Sequence, residues 1–376
     1  MRILFIAAVL SISTISFSQN SDNPNEAYEF FNEAIGYYKA RDFRQAVLYY
    51  GKAIDVNPEY TKAYYNRGSA RINLKDYEGS IADFDKAISL DPEMAKAYMY
   101  KGYAHMKLKK YKLATKALTK AIRKDPSLTK AYINRGNIQL KVENYELAID
   151  DFSTALDQDP SVYSAYFNRG ICHQRIDDSA KAIEDYTAAL DNKPGYLPAL
   201  RARGKAYVKK EQFQAAIPDF TAALRKAPDS AELYYLRGYS KFQLKDDNGA
   251  NSDFAKALEI DPAHIGSLKN KAMTSFKLGL YDETVKDYSN LIGTDKDNPE
   301  YYVNRGIIYL KQDKNDNALD DFNKAVKLDG DFAEAYFNRA NAYAKLEKLD
   351  RACKDMKQSA KLGYQAAYGH INGLCN

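Results

Sequence analysis

Small and bulky apolar residues recur along this chain at fixed places every 34 residues, with charged and amide side chains between them. Pro58, Pro92, Pro126, Pro160, Pro194, Pro228 and Pro262 set the frame, spaced by 34 with no insertion or deletion. With each Pro as position 32, repeats begin at Ala27, Thr61, Ala95, Thr129, Tyr163, Leu197, Ala231, Ile265, Pro299 and Ala333. Position 4 is aromatic or Leu throughout, and position 8 is Gly in seven repeats and Ala in three. Positions 4, 8 and 11 share one helical face, so the first half of each repeat predicts a helix that offers a large residue and then a small one. The second half places a small residue at 20, a bulky one at 24 and Ala at 27 in eight repeats, which predicts a second helix. Pro at 32 cannot continue that helix and disfavours helical backbone at its predecessor, so each repeat ends there. One such helix pair cannot bury its apolar face alone; the next pair completes its core. The fold class predicted is all-α.

On these residues the stretch 27–366 resembles the tetratricopeptide repeat (TPR) family, with Tyr at position 4 where many members carry Trp. The resemblance implies an α-solenoid, a right-handed superhelix of helix-turn-helix repeats whose concave groove is lined by first helices. It also implies a non-catalytic scaffold that binds extended segments of partner proteins or peptides, without a cofactor. The last repeat departs from the pattern, with Met356 at 24 and Ser359 at 27, and residues 365–376 are expected to form a C-terminal capping helix. The family's clamp for acidic C-termini is not matched: its nearest start, Ile133 and Asn137 with Asn168, runs into Pro198 and Ala202.

Charge and composition narrow the partners. The 376 residues hold 55 basic and 50 acidic side chains, a net +5, with the two signs interleaved. Nucleic acid, which needs a concentrated basic face, is therefore not the expected partner. Met1-Arg2, the apolar run Ile3 to Phe17 and the small residues around Ser18 read as a signal peptide over 1–18, followed by a short linker over 19–26. No later stretch is apolar enough to span a membrane, so the mature protein is expected in the periplasm or outside the cell. Alternatives that stay open are a glycan- or cell-wall-binding protein using an aromatic groove, and a regulatory scaffold for a separate enzyme. The four His are scattered, and no phosphate-binding Gly loop or nucleophile elbow is present, so neither metal nor catalytic residues are expected.

Comparison between repeats singles out other residues. Arg at position 7 accompanies Asp at 23: Arg67 with Asp83, Arg135 with Asp151, Arg169 with Asp185 and Arg305 with Asp321, among seven such pairs. Repeats 1 and 3 lose both members (Glu33 with Tyr49, Lys101 with Ala117). Loss in tandem favours a structural ion pair, because a lone partner would be a buried, uncompensated charge. Position 6 repeats Asn at Asn32, Asn66, Asn134, Asn168, Asn270, Asn304 and Asn338. Its amide matches one peptide unit of an extended ligand, and similar ladders run along the peptide-binding grooves of the family. Equally, the residue belongs to a common signature of this repeat subtype and would then meet water. Tyr100, Ala202 and Leu236 break the series, and Pro218 inside a second helix should cost about 3 kcal/mol or kink it, which suggests two half-sites. Aromatic residues at groove positions, including Tyr65, Phe167, Tyr235, Phe337 and Phe31, are expected to face outward as a partner surface. Cys353 and Cys375 lie eleven residues either side of Tyr364 and are expected to form a disulfide; Cys172 reads as a buried apolar residue.

Overall fold

A computed structural model describes residues 24–375, so the signal peptide over 1–18 and most of the linker lie outside the described residues. The chain forms two compact bodies, one ending at Ser161 and the other beginning at Val162. The N-terminal body contains α1 (Pro24–Lys39), α2 (Phe43–Val56), α3 (Thr61–Asn73), α4 (Tyr77–Leu90), α5 (Ala95–Lys107), α6 (Tyr111–Lys124), α7 (Thr129–Lys141) and α8 (Tyr145–Gln158). The C-terminal body starts with α9 (Tyr163–Arg175), α10 (Ser179–Asn192), α11 (Leu197–Lys209), α12 (Phe213–Lys226), α13 (Ala231–Gln243) and α14 (Asp247–Ile260). It continues with α15 (Ile265–Lys277), α16 (Tyr281–Thr294), α17 (Pro299–Lys311), α18 (Asn315–Leu328), α19 (Ala333–Lys345), α20 (Leu349–Lys361) and α21 (Gln365–Leu374). All are helices, and among the described residues there is no strand. Each body is an α-solenoid in which odd and even helices pair within a repeat and each even helix packs on the next odd one.

Two local rules make the helix pairs. Between the first and second helix, position 15 adopts left-handed backbone in nine repeats (Arg41, Lys75, Lys109, Glu143, Asp177, Glu211, Lys245, Asp313, Glu347), with φ between 55° and 65°, and Gly279 does so in repeat 8. Asp42, Asp76, Asp178 and Asp246 at position 16 then cap the second helix by accepting from the backbone N–H three residues on. At the repeat end, Asn57, Asp91, Asp125, Asp159 and Asp261 each accept a backbone N–H two residues on, which turns the chain around the Pro.

Position 24 fills the interior: Tyr50, Phe84, Phe152, Tyr186, Phe220, Phe254 and Phe322 are almost completely buried. The position-8 Gly is required there. A Cβ at Gly136 would sit 2.9 Å from Phe152 Cε1, and one at Gly204 2.6 Å from Phe220 Cε1.

One expectation needs correction. α1 begins at Pro24, three residues ahead of Ala27, so the linker does not extend to residue 26. Pro fits the first turn, where its missing N–H has no helical partner, and Glu26 favours the positive helix end. Pro218 lies inside α12, which runs from Phe213 to Lys226 and has fourteen residues, as α10 and α14 do. Its apolar face, Ala216, Phe220, Ala223 and Leu224, is buried in one cluster with α11 and α13, and that packing holds the helix across the missing N–H.

At the C-terminus α21 covers the exposed end of repeat 10. Ala367, Ile371 and Leu374 close over Ala340, Met356 and Ala360, and Cys353 is joined to Cys375. Cys172 is fully buried, and burial pushes its thiol up to about 12.

Candidate functional site

In both bodies the first helices of successive repeats approach one another (α3 with α5, α5 with α7, α11 with α13, α13 with α15, α17 with α19) more closely than the second helices do. The first-helix layer is thus the inner one, and it carries positions 2, 5, 6, 9 and 12.

Position 5 does more than face outward. Phe31 is buried at 7% exposure, against expectation, and Tyr65, Phe167, Tyr235 and Phe337 are half-buried. The cause is a ring at the far end of the same repeat, in the turn that leads to the next first helix. Phe31 packs between Tyr50 of its own second helix and Tyr60 at the end of the repeat, at ring separations of 5.5 and 4.8 Å. Phe167 likewise meets Tyr186 and Tyr196, Tyr235 meets Phe254 and His264, and Phe337 meets Tyr364 of the cap. Position 5 is a joint between repeats whose outer edge forms the wall of the groove.

In the N-terminal body this wall opens into a hollow of about 490 Å³. Tyr38, Tyr65, Tyr100 and Tyr103 surround it, Met99 and Ile133 supply apolar surface, and Asn66, Asn134, Ser69 and Lys130 bring polar groups to it. Tyr100, which breaks the Asn series, lines it, with its ring centroid 6.0 Å from those of both Tyr65 and Phe84. Burial pushes the hydroxyls of Tyr65 and Tyr100 above the ordinary phenol range, so they stay protonated and can donate. Asn73 Nδ2 donates to Tyr38 Oη at 3.3 Å on the rim.

The other Asn residues differ. Asn270 and Asn338 turn their amides back to their own helices, donating to the Gly266 and Glu334 carbonyls at 2.9 and 3.0 Å. Asn304 lines a second hollow of about 360 Å³ with Met273, Phe276 and Tyr288, and Asn168 is half-buried. Where the series breaks at Ala202 and Leu236, charge occupies the face: Glu232 accepts from Arg201 at 2.8 Å and from Lys205 at 2.6 Å. Those partners hold its carboxyl below the usual range, Lys205 contributing most.

The position 7 and 23 residues lie on the opposite side of the first helices. Arg67–Asp83, Arg135–Asp151 and Arg169–Asp185 stand at 2.7 Å and Arg305–Asp321 at 2.6 Å. Burial pushes Asp151 and Asp321 upward despite the guanidinium beside each. The Arg also reaches back to the preceding repeat: Arg135 Nη1 donates to Thr119 Oγ1 at 3.1 Å, Arg203 to Thr187 at 3.0 Å and Arg305 to Ser289 at 2.9 Å.

One feature escaped the overall composition. Repeat 3, residues 95–128, holds ten basic side chains and a single acid, Asp125, while the rest of the chain is slightly acidic. The two signs are thus interleaved elsewhere but not here, and a count per repeat reveals it.

Among the described residues no group of His, Cys, Asp or Glu could hold a metal ion, and no helix is long and apolar enough to cross a membrane. A family profile described as "Tetratricopeptide repeat" matches residues 31–94, 73–128, 133–196 and 201–265, more than half of the chain. The chain belongs to the tetratricopeptide repeat family. Further TPR profiles match residues 308–347 and 333–362. Among solved structures, the C-terminal part of a TPR repeat-containing protein from Cytophaga hutchinsonii is similar, at 17% identity over 64% of this chain and 98% of that one, TM-score 0.55. YrrB, described as a TPR protein with an unusual peptide-binding site, matches at 25% identity over 48% of this chain and 93% of its own, TM-score 0.43. A tetratricopeptide repeat protein from Parabacteroides merdae matches at 22% identity over 66% and 99%, TM-score 0.43. Comparison with curated proteins gives no match. TPR repeats make this chain a protein–protein interaction scaffold, on a framework that generally carries no catalysis.

Proposed function

We propose that the N-terminal body holds an extended segment of a partner protein along its first-helix face, with one apolar or aromatic side chain anchored in the tyrosine hollow. The observation that carries this reading is the hollow itself: apolar walls ringed by tyrosine hydroxyls and the amides of Asn66 and Asn134. Apolar walls reward a buried anchor, and a few convergent polar groups fix its orientation. Backbone amides of an extended chain find both a donor and an acceptor in each Asn. Lys62, Lys96 and Lys130 at position 2 of repeats 2, 3 and 4 are exposed and make no ion pair, which suits a segment with acidic flanks. We read the protein as exported, on the strength of its N-terminal apolar run and a disulfide at the far end.

Selection of peptides from a random library on the full chain, followed by calorimetry, tests the proposal. Peptides with an aromatic anchor should emerge, and Asn66→Ala with Asn134→Ala should weaken them about tenfold, equivalent to 1.4 kcal/mol. Equal affinity in the double variant, or displacement of the peptides by cell-wall oligosaccharides, would reject it.

A further inference from the structure

On the outer side of repeat 3 the internal carboxylate that other repeats place beside their basic residues is missing. In eight repeats the position-23 Asp is the buried hub on that side, and in three of them position 11 approaches it as well as position 7. Arg71 Nη1 stands 2.8 Å from Asp83, Lys241 Nζ 2.8 Å from Asp253 and His173 Nε2 3.8 Å from Asp185. Repeat 3 keeps basic residues at both places, Lys101 and His105, but has Ala117 where the Asp should be. A hollow of about 190 Å³ remains, lined by Lys101, His105, Ala117, Lys116, Lys120 and Tyr98.

Its surroundings are short of negative charge. His105 is 7% exposed, and its Nδ1 has no hydrogen-bond partner. Asp85 of the preceding repeat pairs directly with Lys101, its own side chain being about half exposed. Lys116 and Lys120 are exposed and make no ion pair, and Lys120 lies over the Tyr98 ring at 5.6 Å. Burial, followed by the charge of Lys101, pushes the His105 imidazole below its usual range against the opposing charge of Asp85.

We propose that this hollow is an oxyanion site, in which one carboxylate or phosphate group takes the place of the absent Asp. The group would accept from His105 and from the ammonium groups of Lys101, Lys116 and Lys120. Its charge would be supplied from outside the chain, either by a free anion or by an acidic side chain of a protein seated on the outer face, while the tyrosine hollow lies on the inner one. The site is independent of the peptide-binding reading.

The test titrates the full chain, at constant ionic strength, with inorganic phosphate and in a second arm with hexaglutamate, following the His105 ring resonances. The expected result is a saturable shift with at least one probe. The tighter probe identifies the source: phosphate for a free anion, hexaglutamate for a partner's side chain. Lys116→Gln with Lys120→Gln should weaken binding about tenfold. Ala117→Asp, which restores the internal carboxylate, should abolish the shift. Absence of a saturable shift with both probes would overturn the proposal, as would an Ala117→Asp variant that binds like the parent. If Ala117→Asp does not fold, the lysine variant decides alone, and unchanged affinity in it would also overturn the proposal.

Discussion

At the scale of single residues, steric fit at positions 8 and 24 governs whether the two helices of a repeat can meet. Gly136→Ala would push a methyl group into Phe152, with the added Cβ 2.9 Å from a ring carbon. Overpacking of this kind typically costs about 1–3 kcal/mol. Repeats 1, 8 and 10 carry Ala at position 8 and pair it with Tyr50, Tyr288 or Met356, so the chain itself shows how the methyl is accommodated. Urea unfolding should therefore show a loss for Gly136→Ala and a partial recovery on adding Phe152→Met, the pairing of repeat 10. Positions 8 and 24 were legible from spacing alone, because each keeps one residue type through the repeats, small at 8 and bulky at 24. Position 5 was not, because the Tyr60 and Tyr196 rings that bury Phe31 and Phe167 stand at position 34, where the repeats share no residue type. Nor could spacing tell that the Asn270 and Asn338 amides return to their own backbones, whereas Asn66 and Asn134 line a hollow.

At the scale of elements, the turn between first and second helices stores strain. Left-handed backbone costs a residue with a Cβ roughly 1–2 kcal/mol, and nine repeats accept it at position 15. Glu143→Gly, which imitates Gly279, should raise stability by about 0.5–1 kcal/mol, part of the relief being returned as chain entropy in the unfolded state. A melting temperature no higher than that of the parent would contradict it. The capping helix α21 is held differently. Its disulfide spans a sequence separation of 22, and closing a loop of that size contributes about 3 kcal/mol in the chain-entropy model. On reduction, amide exchange should accelerate in α21 and α20 first, while α1–α8 keep their protection. Uniform acceleration along the chain would mean that the bond does not act locally. The helix boundaries and the cap were readable from Pro, Gly and apolar spacing. The left-handed position was not, since Arg, Lys, Glu and Asp there carry no turn signature.

At the scale of the whole molecule, the 32 tyrosines tie stability to alkaline pH. Burial pushes Tyr50 and Tyr288 up to about 12 and drives Tyr65 and Tyr186 upward as well. With the folded value above the unfolded one near 10, the stabilisation is complete below pH ~10 and is lost as pH climbs toward the folded values. Helicity by circular dichroism should thus hold to about pH 10 and fall by about pH 12, together with a late rise of tyrosinate absorbance. Full ionisation before any loss of helicity would show these rings to be accessible. The architecture as a whole followed from one period of 34. The basic excess of repeat 3 did not, because a net charge of +5 averages it against an acidic remainder.

The Arg of position 7 has a consequence for the history of such a chain. Its carboxylate lies in its own repeat, but its second acceptor, Thr119, Thr187 or Ser289, belongs to the repeat before it. Every junction that keeps this arrangement has the same donor on one side and the same kind of hydroxyl on the other. A block of 34 residues can therefore be duplicated or lost between two such junctions and leave ends that match. The number of repeats is then free to change under selection for the length of surface a partner requires, while single repeats such as the third diverge without disturbing the register of the rest.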